Sequence, residues 1–188
     1  MGGMVALVGL ALWWFTYKKK NQKLSSISLP NGTTVSVLRD SLNYKLAAYL
    51  ASGSRDAPKT FDFDQVSFRP SSTDLRRGSV ENLRVLATIL KAYPDVEIHL
   101  MDHSESPVRL HTNQKHPVTN QKPSVDRANA AKAVLLASGI DPQRISTTGF
   151  GWSRPVETDQ TEPDHAKNRW LDLTVMANKE MVQSRPTA

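Results

Sequence analysis

Residues 93–105 read Tyr-Pro-Asp-Val-Glu-Ile-His-Leu-Met-Asp-His-Ser-Glu. Val96, Ile98 and Leu100 alternate with Glu97, His99 and Met101, the period-two pattern of a strand with one apolar face. The strand has a helix on either side of it in the chain. Upstream, Leu83, Leu86, Ile89 and Leu90 recur at helical spacing over residues 80–93, Pro94 stands just beyond the stop, and Ser79 is the candidate N-cap. Downstream, residues 103–123 form a long polar stretch broken by Pro107, Pro117 and Pro123, a length that marks a functional or disordered loop. The alanine-rich run over residues 124–138 then predicts a helix with Ser124 as N-cap and Gly139 as its stop. Phe61 to Phe68 reads as an opening strand whose alternation slips once near Gln65. Ile145 to Phe150 reads as a short strand, and Trp170 to Met176 as the last one. Strand, helix, strand, helix, strand, strand predicts an α/β (α+β) class: a β-α-β-α-β mixed sheet packed with helices.

Composition narrows the chemistry. The 188 residues carry a formal charge of +6, and 39% are hydrophobic, enough to build a core. A basic excess suits an acidic polymer, anionic lipid or nucleic acid. No Lys/Arg stripe interleaved with aromatics is present, so no nucleic-acid partner is expected. The absence of cysteine excludes disulfides, thiolate metal sites, cysteine nucleophiles and a lipid-modified cysteine at the processed terminus. His103, His111 and His116 with Glu105 lie in the proline-broken loop at spacings that match no compact zinc pattern; no metal and no cofactor are expected. Asp102, His103 and Ser104 are consecutive, whereas a catalytic triad converges in space. The chain is therefore read as not an enzyme.

The first 17 residues are uncharged, end in Trp13, Trp14 and Tyr17, and run into Lys18, Lys19 and Lys20. This pattern predicts a hydrophobic membrane anchor over 1–20, a single transmembrane helix with an interfacial aromatic belt. Lysines directly after the span would hold the rest of the chain in the cytoplasm, so the topology stays open. Residues 21–59 are expected to be a linker with a polar exit up to Ser28, a turn at Leu29-Pro30-Asn31-Gly32, a short strand from Thr33 and a helix carrying Leu42, Leu46, Tyr49 and Leu50. The main domain is placed at 60–178, followed by a flexible tail over 179–188.

Five blocks within the main domain resemble, in order and spacing, the OmpA-like peptidoglycan-binding domain found at the C-termini of OmpA and MotB. They are Phe61-Asp62-Phe63 leading to Phe68; residues 93–105, where the family's strand runs into Gly-His-Thr-Asp; Asn120 followed by Pro123-Ser124-Val125-Asp126-Arg127-Ala128; Gly139-Ile140 through Arg144-Ile145 to Gly149-Phe150-Gly151 and Pro155; and Asn168-Arg169-Trp170. The resemblance implies non-covalent binding of peptidoglycan at the diaminopimelate of its peptide stem, whose free ammonium and carboxylate share one carbon. It implies that Arg127 grips the carboxylate, Glu105 receives the ammonium, Ser104 and Asn120 line the pocket, and Arg169 closes it. A guanidinium takes a carboxylate in a two-pronged fork. From the pattern alone, Arg127 falls in the first turn of its helix, beside backbone N–H groups that favour an anion.

The implied setting is a Gram-negative cell envelope, with the chain membrane-anchored, its C-terminal domain in the periplasm, and envelope-complex proteins as further partners. Four positions depart from the family. Asp102 stands for glycine, Glu105 for aspartate, Pro123 for leucine and Trp170 for the second arginine, and the loop between Glu105 and Arg127 is longer. These departures motivate the alternative of a structural or assembly protein that kept the fold and lost the ligand. On the residues alone, Arg127 is also compatible with a surface pairing to Asp126 or Glu105.

Overall fold

A computed structural model of the chain describes residues 23–53, 57–63, 65–69, 72–103, 121–151 and 170–177. The alternation in residues 96–103 forms β4 (Val96–His103), the centre of a four-stranded sheet. Around it lie β3 (Lys59–Asp62), β5 (Ile145–Gly151) and β6 (Trp170–Ala177), in the order β3-β6-β4-β5. β6 runs antiparallel to both β3 and β4, whereas β5 is parallel to β4. The parallel pair requires a crossover, and α3 (Gln121–Ala137) lies within it; α2 (Arg77–Ala92) precedes β4. The expected mixed sheet with packed helices is therefore present.

Register places the apolar residues together. Ile145, Ile98 and Val175 form one row across three strands, all of them buried, and Leu100 sits beside Leu173 in the next. α2 adds Leu83, Leu86, Ile89 and Leu90 to this core, and α3 adds Ala131 and Leu135. Burying one such leucine fully is worth about 1.5–3 kcal/mol. Before the sheet, β1 (Leu24–Ser28) and β2 (Thr34–Leu38) form an antiparallel hairpin, followed by α1 (Leu42–Ala51). Val35, Val37, Leu42, Leu46 and Leu50 belong to the same continuous core. The hairpin turns at Leu29-Pro30-Asn31-Gly32, with Gly32 at φ 81° and its N–H on the Leu29 carbonyl at 2.9 Å. That positive φ is the one glycine accepts at a hairpin bend.

Several boundaries differ from the sequence reading. The stretch read as a polar exit contains β1, because Ser25 and Ile27 form a half-buried face that pairing with β2 supplies. β3 ends at Asp62: where the alternation slips, Phe63 turns inward, fully buried, and donates its N–H to the Leu171 carbonyl at 2.7 Å. Phe68 instead bridges Leu75. Ser79 is not a cap. α2 begins at Arg77, and the Ser79 hydroxyl accepts the Ser67 N–H at 2.9 Å and donates to the Ser67 carbonyl at 3.0 Å. α3 extends one turn upstream of Ser124, with Pro123 in its first turn, where no intrahelical acceptor exists for the missing N–H.

Gly139 ends α3 as expected, at φ 84°, with its N–H on Leu136 at 2.9 Å and the Ile140 N–H on Leu135 at 3.1 Å, the paired bonds of a Schellman stop. Arg144 then ties the next strand to the helix before β4. Its Nη2 donates to the carbonyls of Leu90 and Tyr93 at 3.0 and 2.9 Å, and its Nε to that of Val96 at 2.8 Å. A cation at the carbonyl end of α2 complements the helix dipole. The anchor expected over 1–20 and the tail over 179–188 lie outside the described residues. Among the described residues no helix is long and apolar enough to cross a membrane.

Candidate functional site

One end of the sheet gathers the segments that carry the motif blocks. His103 at the end of β4 pairs with Trp170 at the start of β6 and with Gly151 at the end of β5. The early turns of α3 close over the same end. A Cβ on Gly149 would lie 2.7 Å from the Ser124 carbonyl carbon, and closer still to the Val125 nitrogen and Ser124 Oγ. Only glycine lets the helix backbone approach β5 this closely. Ser124, expected to cap the helix, is instead wholly buried in this contact.

Ser104, Glu105, Asn120 and Arg169 lie outside the described residues. Their neighbours His103, Gln121 and Trp170 are the described ends from which those segments leave. Arg127 is described in full. It sits in the second turn of α3, not the first, because the helix begins by Gln121. The unpaired N–H groups of the helix start are therefore a turn away, and the expected help from them does not apply. The surrounding loop holds Arg127 instead. Its Nε donates to the Ser72 carbonyl at 3.3 Å and its guanidinium carbon lies 5.4 Å from the centre of the Phe68 ring. A ring face and one carbonyl orient the planar cation, while Nη1 and Nη2 make no hydrogen bond among the described residues. Phe68 was legible as part of an aromatic block; nothing in the sequence marked Ser72.

Asp102 brings a second charge to the site. It lies in a row between Gly149 and Leu171, on the sheet face that α3 covers, and is 2% exposed. Its Oδ2 has no hydrogen-bond partner among the described residues. Burial pushes its carboxyl up to about 8, and the nearby Arg127 charge pulls in the opposite direction. At neutral pH the group is thus mainly a neutral acid beneath the arginine.

The pairing of β4 with β5 is irregular between Asp102 and His103, leaving Phe150 as the extra residue. Such a bulge re-aims side chains at a strand end. His103 stacks on Phe150, ring centres 5.1 Å apart, and its Nε2 lies 3.3 Å from Asp172 Oδ2. On the same face, His99 Nε2 and Thr148 Oγ1 are 2.8 Å apart. Among the described residues no group of three or more histidines and acids is placed to hold a metal ion.

A mixed sheet closed by α3, with the Arg127 guanidinium oriented near one end of it, defines a domain of known fold. The OmpA family profile matches residues 67–169, more than half of the chain, and the chain belongs to that family. It is 34% identical over 120 residues to outer membrane porin F of Pseudomonas fluorescens, covering 64% of this chain and 32% of the relative. To a probable lipoprotein, YiaD, of Escherichia coli K12 it is 28% identical, covering 60% of this chain and 48% of the relative. The chain thus spans about a third to just under half of the length of these relatives. Among solved structures, a MotB-like protein of Desulfovibrio vulgaris superimposes with a TM-score of 0.55 at 19% identity, over 72% of this chain and 85% of that one. The peptidoglycan-associated lipoprotein of Burkholderia pseudomallei does so with a TM-score of 0.51 at 22% identity, over 59% and 88%. At such identities the likeness is one of fold.

Proposed function

We propose that this OmpA-family domain holds peptidoglycan non-covalently and tethers a membrane or envelope complex to the cell wall, without performing chemistry on it. The observation that carries the reading is Arg127. Its guanidinium is oriented by Ser72 and Phe68 with both Nη groups uncommitted among the described residues, the state a carboxylate-binding fork requires. In this reading Arg127 takes the carboxylate of the stem's diaminopimelate, and Glu105 takes its ammonium. Ser104, Asn120 and Arg169 complete the pocket. Family membership and the fold shared with a peptidoglycan-associated lipoprotein and MotB-like domains support it. The domain over 60–178, with the hairpin and α1 packed into its core, then works in the periplasm of a Gram-negative envelope, with residues 1–20 as its membrane anchor.

A neutral buried acid under the arginine removes a competing anion, so Asp102 is compatible with a retained ligand. Were it ionised, it would satisfy Arg127 from below and weaken the fork. That second state motivates the alternative of a domain that keeps the fold and takes a protein partner in place of the wall.

The test is co-sedimentation of the protein with purified sacculi beside Arg127→Ala, whose fold is checked by circular dichroism. Wild type should pellet, and the variant should stay in solution with its spectrum unchanged. Equal pelleting of the two would remove Arg127 from the site, and absence of pelleting in both would favour the alternative.

A further inference from the structure

The hairpin at the other end of the described chain carries an unused binding edge. Arg39 donates its N–H to the Lys23 carbonyl at 3.1 Å, and Leu29 donates to Thr33 at 2.8 Å. Both bonds lie in the register that pairs β1 with β2. In an antiparallel ladder the residues between such pairs point their main-chain groups the other way. Ser36 N–H and C=O and Leu38 N–H therefore face away from β1. Among the described residues no other strand adjoins β2. The Leu38 carbonyl is already taken, by the Ser41 N–H at 3.0 Å and the Ser41 hydroxyl at 2.6 Å.

Next to β2 lies a cleft of about 390 Å³, lined also by the start of α1, by α2 and by Gln65. Val37, Leu38 and Val85 give it apolar walls, and Leu24, 71% exposed, stands at the rim. At its floor Asn43 is 1% exposed. Its Nδ2 donates to the Asn82 carbonyl at 3.0 Å, which sets the orientation of the amide, and its Oδ1 has no partner among the described residues. None of the described residues lining the cleft is charged.

We propose that the open edge of β2 takes an extended, uncharged peptide segment as a third strand, which fills the adjoining cleft and donates a hydrogen bond to Asn43 Oδ1. A peptide backbone repeats donor and acceptor at the spacing Ser36 and Leu38 present, and its side chains enter flanking pockets. The lack of charge in the cleft selects against acidic or basic segments, since burying an unpaired charge is strongly unfavourable. This surface is built from other elements than the Arg127 site, and its occupancy is independent of the wall.

The experiment uses the full chain, isotope-labelled, and a capped peptide of the sequence Leu-Ser-Ser-Ile-Ser, which is uncharged and is the sequence that already pairs with β2 from the other side. Saturable NMR shifts are expected at the amides of Ser36 and Leu38 and at the Asn43 carboxamide. Ser36→Pro removes one outward N–H at a strand edge, where proline is tolerated, and should weaken binding about tenfold or more. Val85→Lys, which places a charge in the cleft, should weaken it similarly, and stands in for the first variant should that one fail to fold. Ser26→Pro, on the outer edge of β1, should leave binding unchanged. Absence of saturable shifts at millimolar peptide overturns the proposal. So does loss of binding in Ser26→Pro alone, or a response of the cleft to an N-acetylglucosamine oligomer and not to the peptide.

Discussion

Asp102→Asn is the substitution whose outcome the structure specifies most closely. The carboxyl is 2% exposed and held near 8 in the folded protein, against an ordinary value of 3.8. A raised carboxyl reverses the usual acid case. Below pH 4 both states hold the proton, and Asp102 costs nothing. Between pH 4 and 8 the unfolded chain releases it while the folded chain keeps it, so folding stability falls by about 1.4 kcal/mol per pH unit. By pH 7 the loss reaches about 4 kcal/mol, and above pH 8 it is constant. Asparagine has nearly the same shape and no titration, but burying its amide beside an already unpartnered oxygen costs about 1–3 kcal/mol. The variant should therefore be less stable than wild type at pH 4 and more stable at pH 7, by about 1–3 kcal/mol. Urea unfolding of both proteins at intervals from pH 4 to 8 measures the difference, in which the other titrating groups cancel. A difference that is flat across that range would show that Asp102 is not a buried neutral acid.

Gly149→Ala should destabilise the domain by about 3 kcal/mol or prevent folding, because the new methyl meets helix backbone at Ser124 and Val125, which cannot swing aside; the urea midpoint reads this directly. Burial lowers the Arg144 guanidinium from its ordinary value against the pull of Asp141, Asp95 and Glu97, yet an arginine stays ionised at physiological pH. Arg144→Lys should cost about 2 kcal/mol, since one ammonium cannot serve the carbonyls of Leu90, Tyr93 and Val96 together. The loss should be nearly the same at pH 6 and pH 8.

Local pattern and tertiary context divide the work in an instructive way. β4 and β6 were legible because their alternation is strict and one face is buried, which forces the register. α2 and the stop of α3 were legible because helical spacing and Gly139 act within a few residues. β1 was not, since a run of serines acquires a buried face only when β2 lies beside it. Ser79 and Ser124 carry the chemistry of caps. Each was drawn elsewhere, Ser79 to the Ser67 backbone and Ser124 into the contact with Gly149.

At the candidate site, residue types and order alone pointed to Arg127 and to the family, because a motif is a local record. What the sequence by itself determined was thus the class of fold and the order of strands and helices from β3 onward; it also named Arg127, the residue on which the proposed function rests. Only the tertiary structure decided that Arg127 rests on Phe68 and Ser72 in the second turn, that Asp102 lies buried near it, and that among the described residues β2 keeps an open edge and Asn43 Oδ1 has no partner. Burial, electrostatic coupling and the pairing of edges depend on distances between segments far apart in the chain, and no spacing along the chain encodes those distances.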